Sequence, residues 1–152
     1  MKHWQEMKYW LCVTNETNWG VVKLKSVWGV NDRQGDKIFL AKEGDKLVFY
    51  IKPMKIGGIF EIVSKPFREE NPIFEGGIYP NRVKIKPILL PNQLLEFRPL
   101  ITKLHFITQK KMWGGHLQGK AMRLIPKEDF ELIKKKLEKL CKAHNYNLVS
   151  LA

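Results

Sequence analysis

The run Leu47-Val48-Phe49-Tyr50-Ile51 constrains this chain more than any other stretch. It is of strand length, it does not alternate, and the turn signal Gly44-Asp45 stands just before it. Such a run predicts a strand buried on both faces, which requires a sheet with a packed layer on either side. Residues 8–14, KYWLCVT, predict a second buried strand of the same kind.

The remaining elements fall around these two. Asn15, Glu16, Thr17 and Asn18 offer capping side chains for a helix over about 19–26. Asn31 or Asp32 caps a second short helix running towards Leu40. Gly57-Gly58 opens a strand, IFEIVSK, over 59–65. Residues 82–88, RVKIKPI, alternate strictly, so Arg82, Lys84 and Lys86 share one strand face and Val83 and Ile85 the other. Two more strands are predicted at 102–108 and 121–125. Pro126 starts a terminal helix with Phe130, Ile133, Leu137, Leu140 and Cys141 at helical spacing. A loop rich in Pro, Gly and acid fills 66–81 and is long enough to suggest a function. One domain over residues 1–152 accommodates all of this: an α/β (α+β) fold with a mixed sheet of five to six strands, short flanking helices and a C-terminal helix. The local pattern leaves closure of the sheet into a barrel open.

Charge narrows the partner. Lys and Arg total 27 against 15 Asp and Glu, a net charge of +12, and the segment from Pro80 to Leu124 alone carries +8 of it. A lysine-rich thermophile surface raises Lys and Glu together, whereas here Lys rises without matching acid. The excess points to a polyanion, most simply nucleic acid. No apolar run reaches the roughly 18 residues of a membrane span, and the N-terminus lacks a signal-peptide pattern. With Cys12 and Cys141 far apart and read as reduced thiols, a cytoplasmic protein is expected.

Chemistry is not advertised. The histidines and cysteines form no ligand pair, and Walker, G-x-G-x-x-G and G-x-S-x-G patterns are absent. No metal, cofactor or catalytic residue is expected. The aromatics say more: Trp4, Trp10, Trp19, Trp28 and Trp113 all stand beside polar or glycine-rich neighbours, and Trp113 lies in the basic stretch KKMWGGHLQGK. Indoles among lysines are a signature of base stacking, although a core role for each is equally open.

The stretches YWLCVTNETNWGVVKLKSVWGV, GDKLVFYIK, IGGIFEIV, YPNRVKIKPI and WGGHLQGKAMRLIPKEDFELI, in that order, resemble the EVE domain, a PUA-like family close to the YTH and ASCH domains. The resemblance spans nearly the whole chain and implies a PUA-like pseudo-barrel. It also implies a non-catalytic module that recognises a modified base, in RNA or DNA, within an aromatic pocket. YTH domains hold 6-methyladenine with an Asn ahead of a short helix and a Trp after it, a spacing matched by Asn18 and Trp28; Asn31 matches a further EVE position. The YTH Trp is usually followed by Ser or Cys, where this chain has Gly29, and no Trp occupies the loop of the second cage wall. Phe74, Tyr79 or Trp113 is the candidate there, and Thr14 and Asn15 complete the expected base pocket. Arg82, Lys84, Lys86, Lys23, Lys25, Arg33, Lys110 and Lys111 are the expected phosphate contacts. The nucleic acid would be single-stranded or carry a flipped base, and the protein would be a monomer or weak dimer. Two alternatives stay open: an ASCH-like amidohydrolase acting on a modified nucleoside through Thr14, Lys25 and Glu61, and a protein-interaction adaptor.

Overall fold

The apolar run folds as strand β3 (Lys46–Ile51), with β1 (Tyr9–Thr14) parallel to it on one side and β4 (Lys55–Ile62) antiparallel on the other. The computed structural model describes residues 6–151, so Trp4 lies outside the described residues. The other strands are β2 (Val27–Val30), β5 (Phe67–Arg68), β6 (Asn81–Leu89), β7 (Leu95–Glu96) and β8 (Met122–Leu124). The helices are α1 (Glu16–Lys25), α2 (Gly35–Leu40) and α3 (Lys127–Leu151). The main path runs β2-β6-β4-β3-β1-β8, a six-stranded mixed half-barrel; the two-residue strands β5 and β7 pair with β6 and β4 beside it.

Alternation along the central strands explains the two cores. Trp10, Cys12, Leu47, Phe49 and Ile51 point into one hydrophobic cluster, together with Trp19, Trp28 and Phe60. Leu11, Val48 and Tyr50 point into the other, which Phe97, Leu104 and the α3 residues Phe130, Ile133 and Leu137 cover. Phe49 is fully buried and central to the first: its ring lies 5.3 Å from Trp19, 5.3 Å from Trp28 and 5.4 Å from Phe60. Gly57 is part of this packing. A Cβ there would stand 2.6 Å from the Trp19 ring, so the glycine lets the indole lie flat against the sheet. The two glycines therefore sit inside β4, which starts at Lys55, instead of opening it.

The helix predictions hold with small shifts of boundary. Asn15 caps α1, its side chain accepting from Asn18 N at 2.8 Å, and Ser26 closes the helix in the left-handed region at φ 54°. Asn31 caps a 3-10 turn, Asp32–Gln34, that leads directly into α2.

Two expectations fail. Residues 102–108 form no strand but an irregular segment with Leu104, Phe106 and Ile107 buried. Two of their backbone N–H groups are satisfied from α3, because the buried Asp129 carboxylate accepts from His105 N and Phe106 N, both at 2.8 Å. A side chain thus replaces a neighbouring strand. The alternation of 82–88 also breaks at its start: Asn81, Arg82 and Val83 are all buried. Cys12 and Cys141 are free thiols, and burial pushes both up from the ordinary thiol value. No described helix is long and apolar enough to cross a membrane.

Phe49→Ala removes the ring on which three others converge, so it should cost about 3–5 kcal/mol in unfolding free energy, read from the urea midpoint.

Candidate functional site

The parallel pairing of β1 and β3 brings the carboxyl ends of both strands to one place, with Thr14 opposite Ile51 and Lys52 N donating to Thr14 O at 2.9 Å. A cavity of about 540 Å³ opens there. β1 and β3 contribute Val13, Thr14 and Tyr50 to its lining. Asn15, Asn18, Trp28 and Gly29 line it too, as do Trp113, Gly114 and residues 117–121. Phe74 and Tyr79 of the long loop supply a further wall, and Asn31, Arg33 and Gln34 the rim above α2. All eight candidates for a base pocket, Thr14, Asn15, Asn18, Trp28, Asn31, Phe74, Tyr79 and Trp113, line this one cavity.

Trp28 has two roles at once. It is 4% exposed and stands edge-on to Phe49, yet it also lines the cavity. Trp10 provides the contrast, since its indole N–H donates to Asp45 Oδ2 at 3.1 Å deep in the core. Trp28 Nε1 is buried with no partner; among the described residues the other such side-chain atom is Gln34 Oε1, also of a cavity residue. Leaving a buried donor unmade costs about 1–3 kcal/mol.

The loop wall is held by two buried polar side chains. Asn18 is bidentate to the main chain of Glu75, donating from Nδ2 to Glu75 O at 2.9 Å and accepting at Oδ1 from Glu75 N at 2.8 Å. Arg82 is 1% exposed, and its guanidinium donates to the carbonyls of Asn71, Ile78 and Tyr79. It also lies 5.6 Å from the Phe74 ring. Burial pushes Arg82 down from the ordinary guanidinium value, with Glu69 opposing the shift. Tyr79 sits at φ 47°, a left-handed conformation for a residue with a side chain, and its carbonyl is the one Arg82 Nε grips at 3.0 Å. The Phe74 and Tyr79 rings meet edge to face at 5.7 Å.

Gly29 fits beneath this wall. A Cβ there would lie 2.6 Å from Tyr79 O and 3.1 Å from both Phe74 and Arg82. The residue after Trp28 is therefore a glycine because the loop packs onto its backbone. On the rim, Asp32 Oδ1 accepts from Arg68 Nη1 at 2.8 Å and Asn81 Nδ2 at 2.9 Å. These bonds, Arg68 first, hold the Asp32 carboxyl below its ordinary value and fix the turn that carries Asn31 and Arg33.

Several expected roles change. The Asn18 amide is engaged by the loop, so it is a clamp where a base contact was expected. Arg82 is a buried staple and presents no cation to solvent. Lys86 lies 3.7 Å from Glu61, and Lys84 remains exposed on β6. Lys23 sits over the Trp19 ring, Lys110 Nζ donates to Leu104 O, and Lys25 and Lys111 are exposed. Of the eight expected phosphate residues, Arg33 alone lines the cavity. The residues missed are Gln34, Tyr50, Lys52, Gln118 and Lys120. Tyr50 offers an apolar face, because burial pushes its phenol up to about 12 and its O–H is engaged by Pro53 O. Among the described residues no group of three or more His, Cys, Asp or Glu is arranged to hold a metal ion.

The EVE domain family model matches residues 8–136. A UPF0310 protein of Pyrococcus abyssi is 52% identical over 141 residues, covering 84% of this chain and 97% of its own length. Among solved structures, the YTH domain of the Zygosaccharomyces rouxii MRB1 protein, in complex with N6-methyladenosine RNA, superposes with TM-score 0.61. It is 15% identical, with 90% of this chain and 93% of that one covered. Human THYN1 protein, in complex with 5-methylcytosine-containing DNA, superposes with TM-score 0.60 at 17% identity, covering 86% of this chain and 98% of that one.

Arg82→Gln should release the 71–79 loop, raising amide hydrogen exchange there while the β3 and β4 amides keep their protection. Gly29→Ser should clash with Tyr79 O and lower stability by about 1–3 kcal/mol in thermal or denaturant unfolding.

Proposed function

The chain belongs to the EVE-domain family, and on that premise we propose that it is a non-catalytic module that takes a modified base of RNA or DNA into this cavity. One observation carries the reading. A single cavity gathers the rings of Trp28, Phe74, Tyr79 and Trp113 with three cations, and no carboxylate lines it. Flat, electron-rich walls suit a flat base, and cations suit the backbone attached to it.

A base stacked in a duplex hides both faces, so binding needs a single strand or a flipped nucleotide. Trp28, on the cavity lining, supplies the stacking plate. Phe74 and Tyr79 add a second aromatic wall, and a methyl group buried against it gains about 0.8 kcal/mol. That small gain discriminates only in a preformed pocket, and Asn18 and Arg82 preform it. The two neighbours described above carry a methylated adenosine and a methylated cytosine, and this family's fold is shared with both. They support modified nucleic acid as the ligand class and leave the base to experiment. A cytoplasmic setting belongs to the same reading.

A hydrolase built on Thr14, Lys25 and Glu61 finds less support. Thr14 lines the cavity, but Lys25 ends α1 on the exposed side and Glu61 is paired with Lys46 at 2.9 Å.

The test is a titration of modified and plain nucleosides, and of short oligonucleotides carrying them, followed by intrinsic tryptophan fluorescence. Stacking on one ring is worth about 1–3 kcal/mol, so Phe74→Ala should weaken the preferred ligand about fivefold to 150-fold. Trp28→Phe, which keeps an aromatic ring against Phe49, should weaken it as well without unfolding the protein. Equal binding of every ligand by Phe74→Ala, Trp28→Phe and the parent chain would sink the proposal.

A further inference from the structure

Some cations on this protein are paired with carboxylates. Lys46 and Lys86 meet Glu61, Lys55 meets Glu96, and Arg68 meets Asp32 and Glu70. Most others have no ion pair among the described residues, and one such set is gathered at the cavity. Arg33, Lys52 and Lys120 line the cavity, and neither they nor Lys37 and Arg123 form an ion pair among the described residues.

The fold brings these residues together from three separate parts of the sequence. α2 packs against β8, and Gln34 Nε2 donates to Gly119 O at 3.3 Å, tying the turn before Lys120 to the start of α2. Arg123 is steadied with its guanidinium 4.6 Å from the Phe106 ring and Nη1 donating to His116 O at 3.4 Å. Lys37 lies near enough to feel both neighbours: its ammonium is pushed down by burial first, then by the charges of Lys120 and Arg123. Lys52, at the end of β3, stands on the cavity wall. Like charges gathered around a concave, partly apolar surface repel one another, and an incoming anion relieves that repulsion.

Volume points the same way. A cavity of about 540 Å³ lies well within the roughly 300–1,000 Å³ of drug-sized ligand sites. It offers room beyond a flat base lodged between rings.

We infer that Arg33, Lys52 and Lys120, backed by Lys37 and Arg123, form a phosphate site continuous with the aromatic pocket, so that the unit recognised is a nucleotide and not a nucleoside. The inference rests on the base-pocket reading and adds the position of the charge. It also moves the backbone contact from the β6 face, with Arg82, Lys84 and Lys86, to the α2–β8 side of the cavity mouth.

Three probes sharing one modified base test it: the nucleoside, its 5′-monophosphate and a short single-stranded oligonucleotide. N6-methyladenosine and 5-methylcytidine series are each titrated at about 50 and 200 mM salt, by calorimetry, into the parent chain, Lys52→Gln/Lys120→Gln and the α3 surface control Lys139→Gln. The monophosphate should bind at least tenfold more tightly than its nucleoside, and the advantage should shrink with salt. The double variant should bring the monophosphate close to the nucleoside's affinity, and Lys139→Gln should keep the full advantage. An oligonucleotide tighter still, with a steeper salt slope, identifies the phosphate donor as a strand; equal affinity identifies a free nucleotide. Should the nucleoside bind as well as the monophosphate, or the double variant keep the advantage, the phosphate site is overturned and the base pocket stands. Should no modified nucleoside, nucleotide or oligonucleotide bind at all, the base pocket falls and this inference with it.

Discussion

The cavity depends on one buried guanidinium. Arg82 gathers the carbonyls of Asn71, Ile78 and Tyr79, and in doing so holds a long, glycine-rich loop in one conformation. A charge taken out of water this far is tolerated only when its donors are matched by acceptors, and three carbonyls match it. The grip on Tyr79 O offsets the left-handed backbone at that residue, and the Phe74 ring covers the guanidinium from the side. With Asn18 bound to Glu75 from α1, the loop is fastened from two directions. The wall facing Trp28 is therefore rigid for reasons that lie behind it.

Trp28 belongs to the core and to the cavity together, and that combination has a physical use. Its edge contact with Phe49 fixes the indole from one side, so a ring that lines the cavity is already held in place. Gly29 follows from the same packing. The loop lies directly on its backbone, so the side chain that YTH domains place there has no room in this chain.

Much of this was legible in the residues. The two-sided burial of β3 follows from its unbroken apolar run, α1 and the turn at Asp32 from their capping asparagines, and the pocket lining from the order of motifs. Other features depend on partners far away in sequence. Arg82 alternates with Lys84 and Lys86 as a solvent face would, and only the return of the 71–79 loop reveals its buried role. Nothing in the sequence singles out Lys52 and Lys120, because their place on the cavity depends on the parallel pairing of β1 with β3 and on the Gln34–Gly119 contact. Residues 102–108 read as a strand by their apolar spacing, and the Asp129 carboxylate, reaching in from α3, took the bonds a strand would have made.

The central claim is that Trp28 is the plate on which a modified nucleotide rests. The indole N–H groups of the five tryptophans are followed by nitrogen-15 resonance, and the signal lost in Trp28→Phe is that of Trp28. Adding a modified nucleotide should shift the Trp28 indole signal saturably and further than those of Trp10 and Trp19, which share its core cluster but do not line the cavity. A Trp28 signal that stays fixed while the nucleotide binds would contradict the account.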